Sequence, residues 1–200
     1  YEDATYIIEK GKTSLVECPE WQTDLYKAYS EILSRNKVED LYDVIRHSLN
    51  LMKSGEIKPY PDQFMMVDEF QDTDHIQLEW VLHHASNGTA VTVVGDDDQS
   101  IYSWRGALGF PGMQDFVSRT QAEAITLAIN YRCHEEILSA AGRLITCNAE
   151  RVDKQLRSFR GPGGRIASLR FASREDEAEN LASIILKESI PITDETSILF

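Results

Sequence analysis

Two short apolar runs, each closed by acidic residues, constrain this chain more than any other feature. The first is Phe64-Met65-Met66-Val67, followed at once by Asp68 and Glu69. The second runs from Thr89 to Val94 and leads through Gly95 into Asp96-Asp97-Asp98. Runs of this length, rich in apolar and β-branched residues, suit strands buried in a sheet. Between them lies a helical stretch near 74–86, with Leu78, Val81, Leu82 and Ala85 on one side and Asn87-Gly88 at its end. Parallel strands need a crossover of that size, so the order predicts a mainly parallel α/β sheet with helices on both faces.

In such sheets ligands sit at the carboxyl ends of the strands, and both acid clusters fall there. Adjacent strand tips would bring them into one crevice. Two neighbouring carboxylates repel each other near neutral pH unless a cation lies between them or one is protonated. Magnesium carrying a nucleotide phosphate resolves the conflict, since it takes a few carboxylate oxygens and keeps its waters. Taken alone, Asp68-Glu69 is equally a helix N-cap pair, and a lone Trp104 is more commonly core than surface.

The remaining pattern fills in around this unit. Trp21, Leu25, Ala28, Ile32 and Leu33 share one helical face that Asn36 could end, and Leu41, Val44, Ile45, Leu49 and Met52 form a second, closed by Gly55. After the acidic loop the sequence predicts a helix or turn near 111–119 and a short strand at 125–128. A helix through Ile137, Ala141, Leu144 and Ile145 follows, then a strand alternating Ala167, Leu169 and Phe171. Ser173 and Asp176 form a capping-box-like start for a last helix.

The net charge of −13 argues against nonspecific nucleic-acid binding, but its distribution is uneven. Residues 61–120 hold ten acids against Arg105 and Arg119, whereas 143–174 hold eight arginines or lysines against Glu150 and Asp153. The default reading of the basic run is a solvated surface. Three widely spaced cysteines give neither a disulfide framework nor a zinc site and suit a reducing cytoplasm. His47, His75, His83, His84 and His134 have no metal-ligand spacing. No signal peptide and no apolar run long enough for a membrane span are present.

Three longer motifs then stand in order: Val67-Asp68-Glu69-Phe70-Gln71-Asp72-Thr73, VGDDDQSIYSWRGA at 94–107, and LAINYRC at 127–133. Together they resemble the superfamily 1A DNA helicases of the UvrD, Rep and PcrA kind, relatives of the RecB and AddA motors. RHSLNLM at 46–52, the N-x-x-R-x-x-K-x-L segment at 148–156 and the closing EAENLASIILKESIPITDETSILF also have counterparts there. The resemblance implies P-loop NTPase (RecA-like) motor domains. Residues 1–60 would be a helical subdomain, 61–126 the end of the first motor domain, and 127–200 the start of the second.

It also implies roles. Asp68 would hold the Mg2+ of Mg-ATP, and Glu69 would orient and deprotonate the attacking water. Gln99 would contact the γ-phosphate, and Arg132 would reach it from the second motor domain. Gln71 and Asp72 would support the site. Tyr102 and Trp104, with Arg105 beside them, would stack on bases of single-stranded DNA. The implied activity is a 3′–5′ helicase or translocase working on single strands and single-strand/double-strand junctions, for example in DNA repair. A helicase–nuclease motor and a degenerate DNA-binding module that does not hydrolyse ATP are the alternatives.

Gly11-Lys12-Thr13 imitates part of a phosphate loop. The loop requires G-x-x-x-x-G-K-[ST], and Tyr6 stands where its first glycine belongs. We therefore read it as unrelated to phosphate binding. From the start at Tyr1 and the end inside an apparent strand we expect a piece of a longer protein, one that hydrolyses no ATP on its own. Cys133 stands where the family usually has serine, and either could cap the helix that follows.

Overall fold

The computed structural model describes residues 2–13 and 20–187. Cys18 and the apparent strand at 195–200 lie outside these residues, as does the side chain of Trp21. Three helices come first: α1 (Glu2–Thr13), α2 (Glu20–Asn36) and α3 (Leu41–Ser54). Helix α3 is delimited by local chemistry. Asp40 and Asp43 form a reciprocal capping box at its start, and Gly55 closes it in the left-handed conformation (φ 80°).

The Gly-Lys-Thr sequence forms the last turn of α1. Lys12 is only 1% exposed, and its ammonium pairs with Asp40 at 2.5 Å and Asp43 at 2.6 Å. It thus ties α1 to the start of α3 and faces no open loop, in agreement with the sequence reading. Replacing Lys12 by Met should cost about 2 kcal/mol of stability, because two partly buried carboxylates lose their cation. Urea unfolding of the two proteins measures the difference.

The central unit is strand β1 (Phe64–Val67), helix α4 (His75–Ser86) and strand β2 (Ala90–Val93). The strands are parallel, in register from Phe64 opposite Ala90 to Val67 opposite Val93. Helix α4 starts at a second capping box, Asp74 with Gln77. Its apolar side and α5 (Gly109–Thr120) enclose the main core: Phe70, Leu78, Val81, Leu82 and Phe116, with Met65, Val67, Val91 and Val93 contributed by the sheet. Phe70 and Phe116 meet edge to face at 5.2 Å. Each such buried side chain contributes about 1.5–3 kcal/mol.

Helices among the described residues cover one face of this sheet rather than both. Among the described residues nothing packs over Phe64 and Met66, which are exposed together with Ala90 and Thr92. Full enclosure had been expected from the apolar character of both strand faces.

The second part of the chain holds β3 (Ile129–Asn130), α6 (Glu135–Ile145), β4 (Arg157–Ser158) and α7 (Arg174–Lys187), with β3 and β4 parallel. Two expectations are corrected here. The strand placed at 125–128 lies at 129–130, and residues 167–171 form none. A strand exists only where its backbone finds a partner ladder. Ala128 and Asn130 accept from the N–H groups of Arg157 and Phe159, which fixes the position of β3. Helix α6 is preceded by His134, so Cys133 is not its cap. The start of α7 matches its sequence signal: the Asp176 N–H donates to Ser173 Oγ at 3.1 Å. No helix among the described residues is long and apolar enough to cross a membrane.

Candidate functional site

The register of β1 and β2 carries both acid clusters to neighbouring strand tips. Pairing continues past the strands: the Val94 N–H donates to Val67 O at 2.8 Å, and the Phe70 N–H returns to Val94 O at 2.9 Å. The chain then turns sharply at Glu69, whose backbone is left-handed (φ 49°), into a 3-10 turn over Phe70–Asp72. A non-glycine residue in that region stores strain and needs surrounding contacts to hold it.

Gln71 supplies such a contact. Its side chain is 1% exposed, and both ends of its amide are engaged. The Nε2 group donates to Glu69 Oε2 at 2.8 Å, and Oε1 accepts from the Asp96 N–H at 2.9 Å. A carboxylate can only accept and a peptide N–H can only donate, so this chemistry fixes which way the amide points. Gly95 is required beside it, since a Cβ there would lie 2.7 Å from Gln71 Oε1. The two clusters are therefore joined through one buried amide.

Asp68 and Glu69 are themselves exposed. Asp68 Oδ1 accepts from the Glu69 N–H at 2.9 Å, and neither carboxylate has a cationic partner among the described residues. With Asp72, Thr73, Gln77, Met65 and Trp80 they line an open cleft of about 590 Å³. Asp72 Oδ1 is buried without a hydrogen-bond partner, and burial together with the Glu69 charge pushes its carboxyl above the usual range. An acidic, partly unsatisfied cleft of this kind fits a hydrated divalent cation.

The second cluster does not fit one. Oxygens of Asp96, Asp97 and Asp98 lie within 4.8 Å of one another, yet they are already neutralised. Lys154 Nζ contacts all three: Asp97 Oδ1 at 2.7 Å, Asp98 Oδ2 at 3.1 Å, and Asp96 Oδ1. Arg151 grips Asp98 bidentately at 3.0 and 2.8 Å, and the Val152 N–H donates to Asp97 Oδ2 at 2.6 Å. Basic side chains thus balance this loop, and part of the run read as a solvated surface is a clamp instead. The signal was the charge segregation between 61–120 and 143–174.

Burial opposes ionisation of Asp96, but Lys154 and the Gln99 amide outweigh it and hold the carboxyl below the usual range. Asp98 is held low chiefly by Arg151. Burial works against the Lys154 charge, and the three carboxylates overcome it and raise its pKa. Depressed carboxyls contribute stability that is present above their unfolded pKa of about 3.9 and lost as pH falls through the folded values. The raised lysine contributes fully below about 10.5 and loses that contribution only as pH rises through its folded value. The stability difference between wild type and Asp98→Asn should thus be constant from about pH 5 to 9 and be lost in acid, below the unfolded value of about 3.9, as pH falls through the depressed folded value. Urea midpoints across that range measure it.

Gln99 sits exposed at the end of the next 3-10 turn, with Nε2 donating to Asp96 Oδ2 at 2.7 Å. Three residues on, Tyr102 and Trp104 project from the same loop, their ring centroids 6.4 Å apart. The Arg105 guanidinium lies over both, 5.8 and 5.6 Å from the ring centres. Trp104 is 59% exposed and so is not a core residue. Gly106 packs this platform against Thr13 at the end of α1.

Arg132 stands apart. Its N–H and that of Cys133 donate to Asn130 Oδ1 at 3.0 and 2.7 Å, beyond the tip of β3. Its guanidinium makes no hydrogen bond or ion pair among the described residues. Asp68, Glu69 and Gln99 are thus linked in one network, Tyr102, Trp104 and Arg105 share its loop, and Arg132 belongs to neither set of contacts. The residues that sequence reasoning undervalued are Gln71, Arg151 and Lys154.

A family model described as the UvrD/REP helicase N-terminal domain matches residues 11–114, and one described as the UvrD-like helicase C-terminal domain matches 125–200. DNA helicase II of Escherichia coli strain K12 is 42% identical over 164 residues, 79% of this chain and 22% of that protein. DNA helicase II of Haemophilus influenzae is 35% identical over 170 residues, 83% of this chain and 23% of the relative. ATP-dependent DNA helicase PcrA of Staphylococcus epidermidis is 36% identical over 171 residues, 82% of this chain and 23% of the relative. The chain spans less than a quarter of the length of these curated relatives.

Proposed function

We propose that this chain, which belongs to the UvrD/REP helicase family, supplies the middle of an ATP-driven DNA helicase acting in the cytoplasm. Residues 1–60 form a helical subdomain, 61–126 complete one RecA-like P-loop motor domain, and 127–200 begin the second. The observation that carries this reading is the continuous link from Asp68 and Glu69, through Gln71, to the loop bearing Gln99, Tyr102 and Trp104. A motor that couples a nucleotide to a nucleic acid needs such a connection.

Asp68, with a free oxygen at the strand tip, would hold Mg2+ directly or through water. The cation would neutralise phosphate charge and draw the nucleotide into line. Glu69 keeps Oε1 free while Oε2 is held by Gln71, so Oε1 is the atom placed to take a proton from the attacking water. Gln99 can sense the terminal phosphate and, through Asp96, pass its presence along the loop. Arg132 stabilises charge on that phosphate when the second motor domain closes. Stacking on Tyr102 and Trp104 suits single strands and their junctions with duplex, because any base offers a π-face. By family likeness movement runs 3′ to 5′.

The phosphate loop is absent from the 200 residues, so the segment alone should not turn over ATP. The test is ATP hydrolysis by the longest native polypeptide containing this segment, with and without single-stranded DNA. DNA-stimulated turnover is expected. DNA binding with no turnover would instead identify a non-hydrolysing module.

A further inference from the structure

We infer that Lys154 is a positioning residue for this hydrolysis: by neutralising the Asp96-Asp97-Asp98 loop it holds Gln99 and, through Gln71, Glu69 in working geometry. The inference rests on the proposed role of Glu69. It goes beyond that role by assigning work to a residue 58 positions from Asp96, inside the segment matched by the C-terminal family model.

An ammonium has three N–H donors and no acceptor, and here three carboxylates receive it. The Lys154 side chain is 10% exposed, and those of Asp97 and Asp98 are still more deeply buried. Arg151 and the Val152 N–H satisfy oxygens that Lys154 leaves over on Asp98 and Asp97. With Lys154 and Arg151 in place, the five side chains carry a single net negative charge. Removing Lys154 doubles it in a site where water screens poorly.

Asp96 transmits the consequence. Its carboxylate accepts from Gln99 Nε2 at 2.7 Å and from the Asp98 N–H at 3.2 Å, besides contacting Lys154. Its own N–H is taken by Gln71, whose other end holds Glu69. A loop pushed apart by its own charges therefore loosens both Gln99 and the Glu69 carboxylate. Lys154 touches neither Asp68 nor Glu69, so its influence is indirect.

The experiment uses the longest native polypeptide containing this segment and three variants: Lys154→Met, the charge-balanced pair Lys154→Met with Asp97→Asn, and Glu69→Gln. Lys154→Met should lower kcat for DNA-stimulated ATP hydrolysis about tenfold or more, with KM for ATP moved less than about threefold. Adding Asp97→Asn should restore much of the loss, a recovery that a merely structural lysine would not give. Should Lys154→Met fail to fold, Lys154→Gln, which keeps an N–H donor, is measured in its place. An unchanged kcat, or a loss that Asp97→Asn leaves unrepaired, overturns the inference while an inert Glu69→Gln upholds the reading of Glu69. Wild-type turnover in Glu69→Gln removes both.

Discussion

Replacing Glu69 by Gln in the longest native polypeptide containing this segment is expected to lower DNA-stimulated ATP turnover by about 10²–10⁴-fold, the usual worth of a positioned general base. The substitution is nearly isosteric, and the amide carbonyl can still accept from Gln71 Nε2, so the 3-10 turn and the left-handed backbone at Glu69 should persist. What disappears is the proton acceptor at the second oxygen, since an amide cannot take a proton from water. Nucleotide affinity should therefore change little while kcat collapses. Single-turnover kinetics beside equilibrium nucleotide binding separate the two quantities. Equal losses in both would mean that Glu69 holds the nucleotide rather than activating water.

Truncating Trp104 to Ala should weaken binding to single-stranded DNA by about 1–3 kcal/mol, roughly 5–150-fold in Kd. The ring is exposed and inclined to Tyr102 with Arg105 over it, so its removal opens no core cavity and leaves folding intact. The loss should be the same for different base compositions, because stacking reads no sequence. Trp104→Phe should recover most of the affinity. Fluorescence anisotropy with labelled oligonucleotides measures all three proteins. An affinity unaffected by Trp104→Ala would remove this loop from the DNA-binding surface.

The candidate site was legible in the sequence as far as its chemistry is local. Asp68 and Glu69 stand out as candidates because strand tips collect ligand-binding residues and apolar runs mark the strands, whereas Gln99 is singled out only by the family resemblance of its motif. Gln71 was visible only as a neighbour, since its importance comes from an amide that faces two ways, toward Glu69 and toward Asp96, 25 residues further along the chain. The basic run was read as solvent-facing because single residues in it look like ordinary surface charges. Only the charge imbalance between two distant segments hinted that Arg151 and Lys154 would meet the acidic loop.

What the sequence by itself determined is the strand–helix–strand order, the helix limits at Gly55, Asn87-Gly88 and Ser173, and the placing of acids at the two tips. Those features follow from periodicity and capping, which act over one or two turns. The tertiary structure decided the rest. It placed β3 at Ile129–Asn130 where β4 offers a partner, left Phe64 and Met66 uncovered by any other described residue, and buried Lys12 between Asp40 and Asp43. It also brought the side chains of Lys154 and Arg151 onto the acidic loop at Asp96–Asp98. The reason is common to all four: a hydrogen-bond ladder, a covered face and a neutralised charge each depend on what arrives from elsewhere in the chain, and no local pattern encodes that arrival.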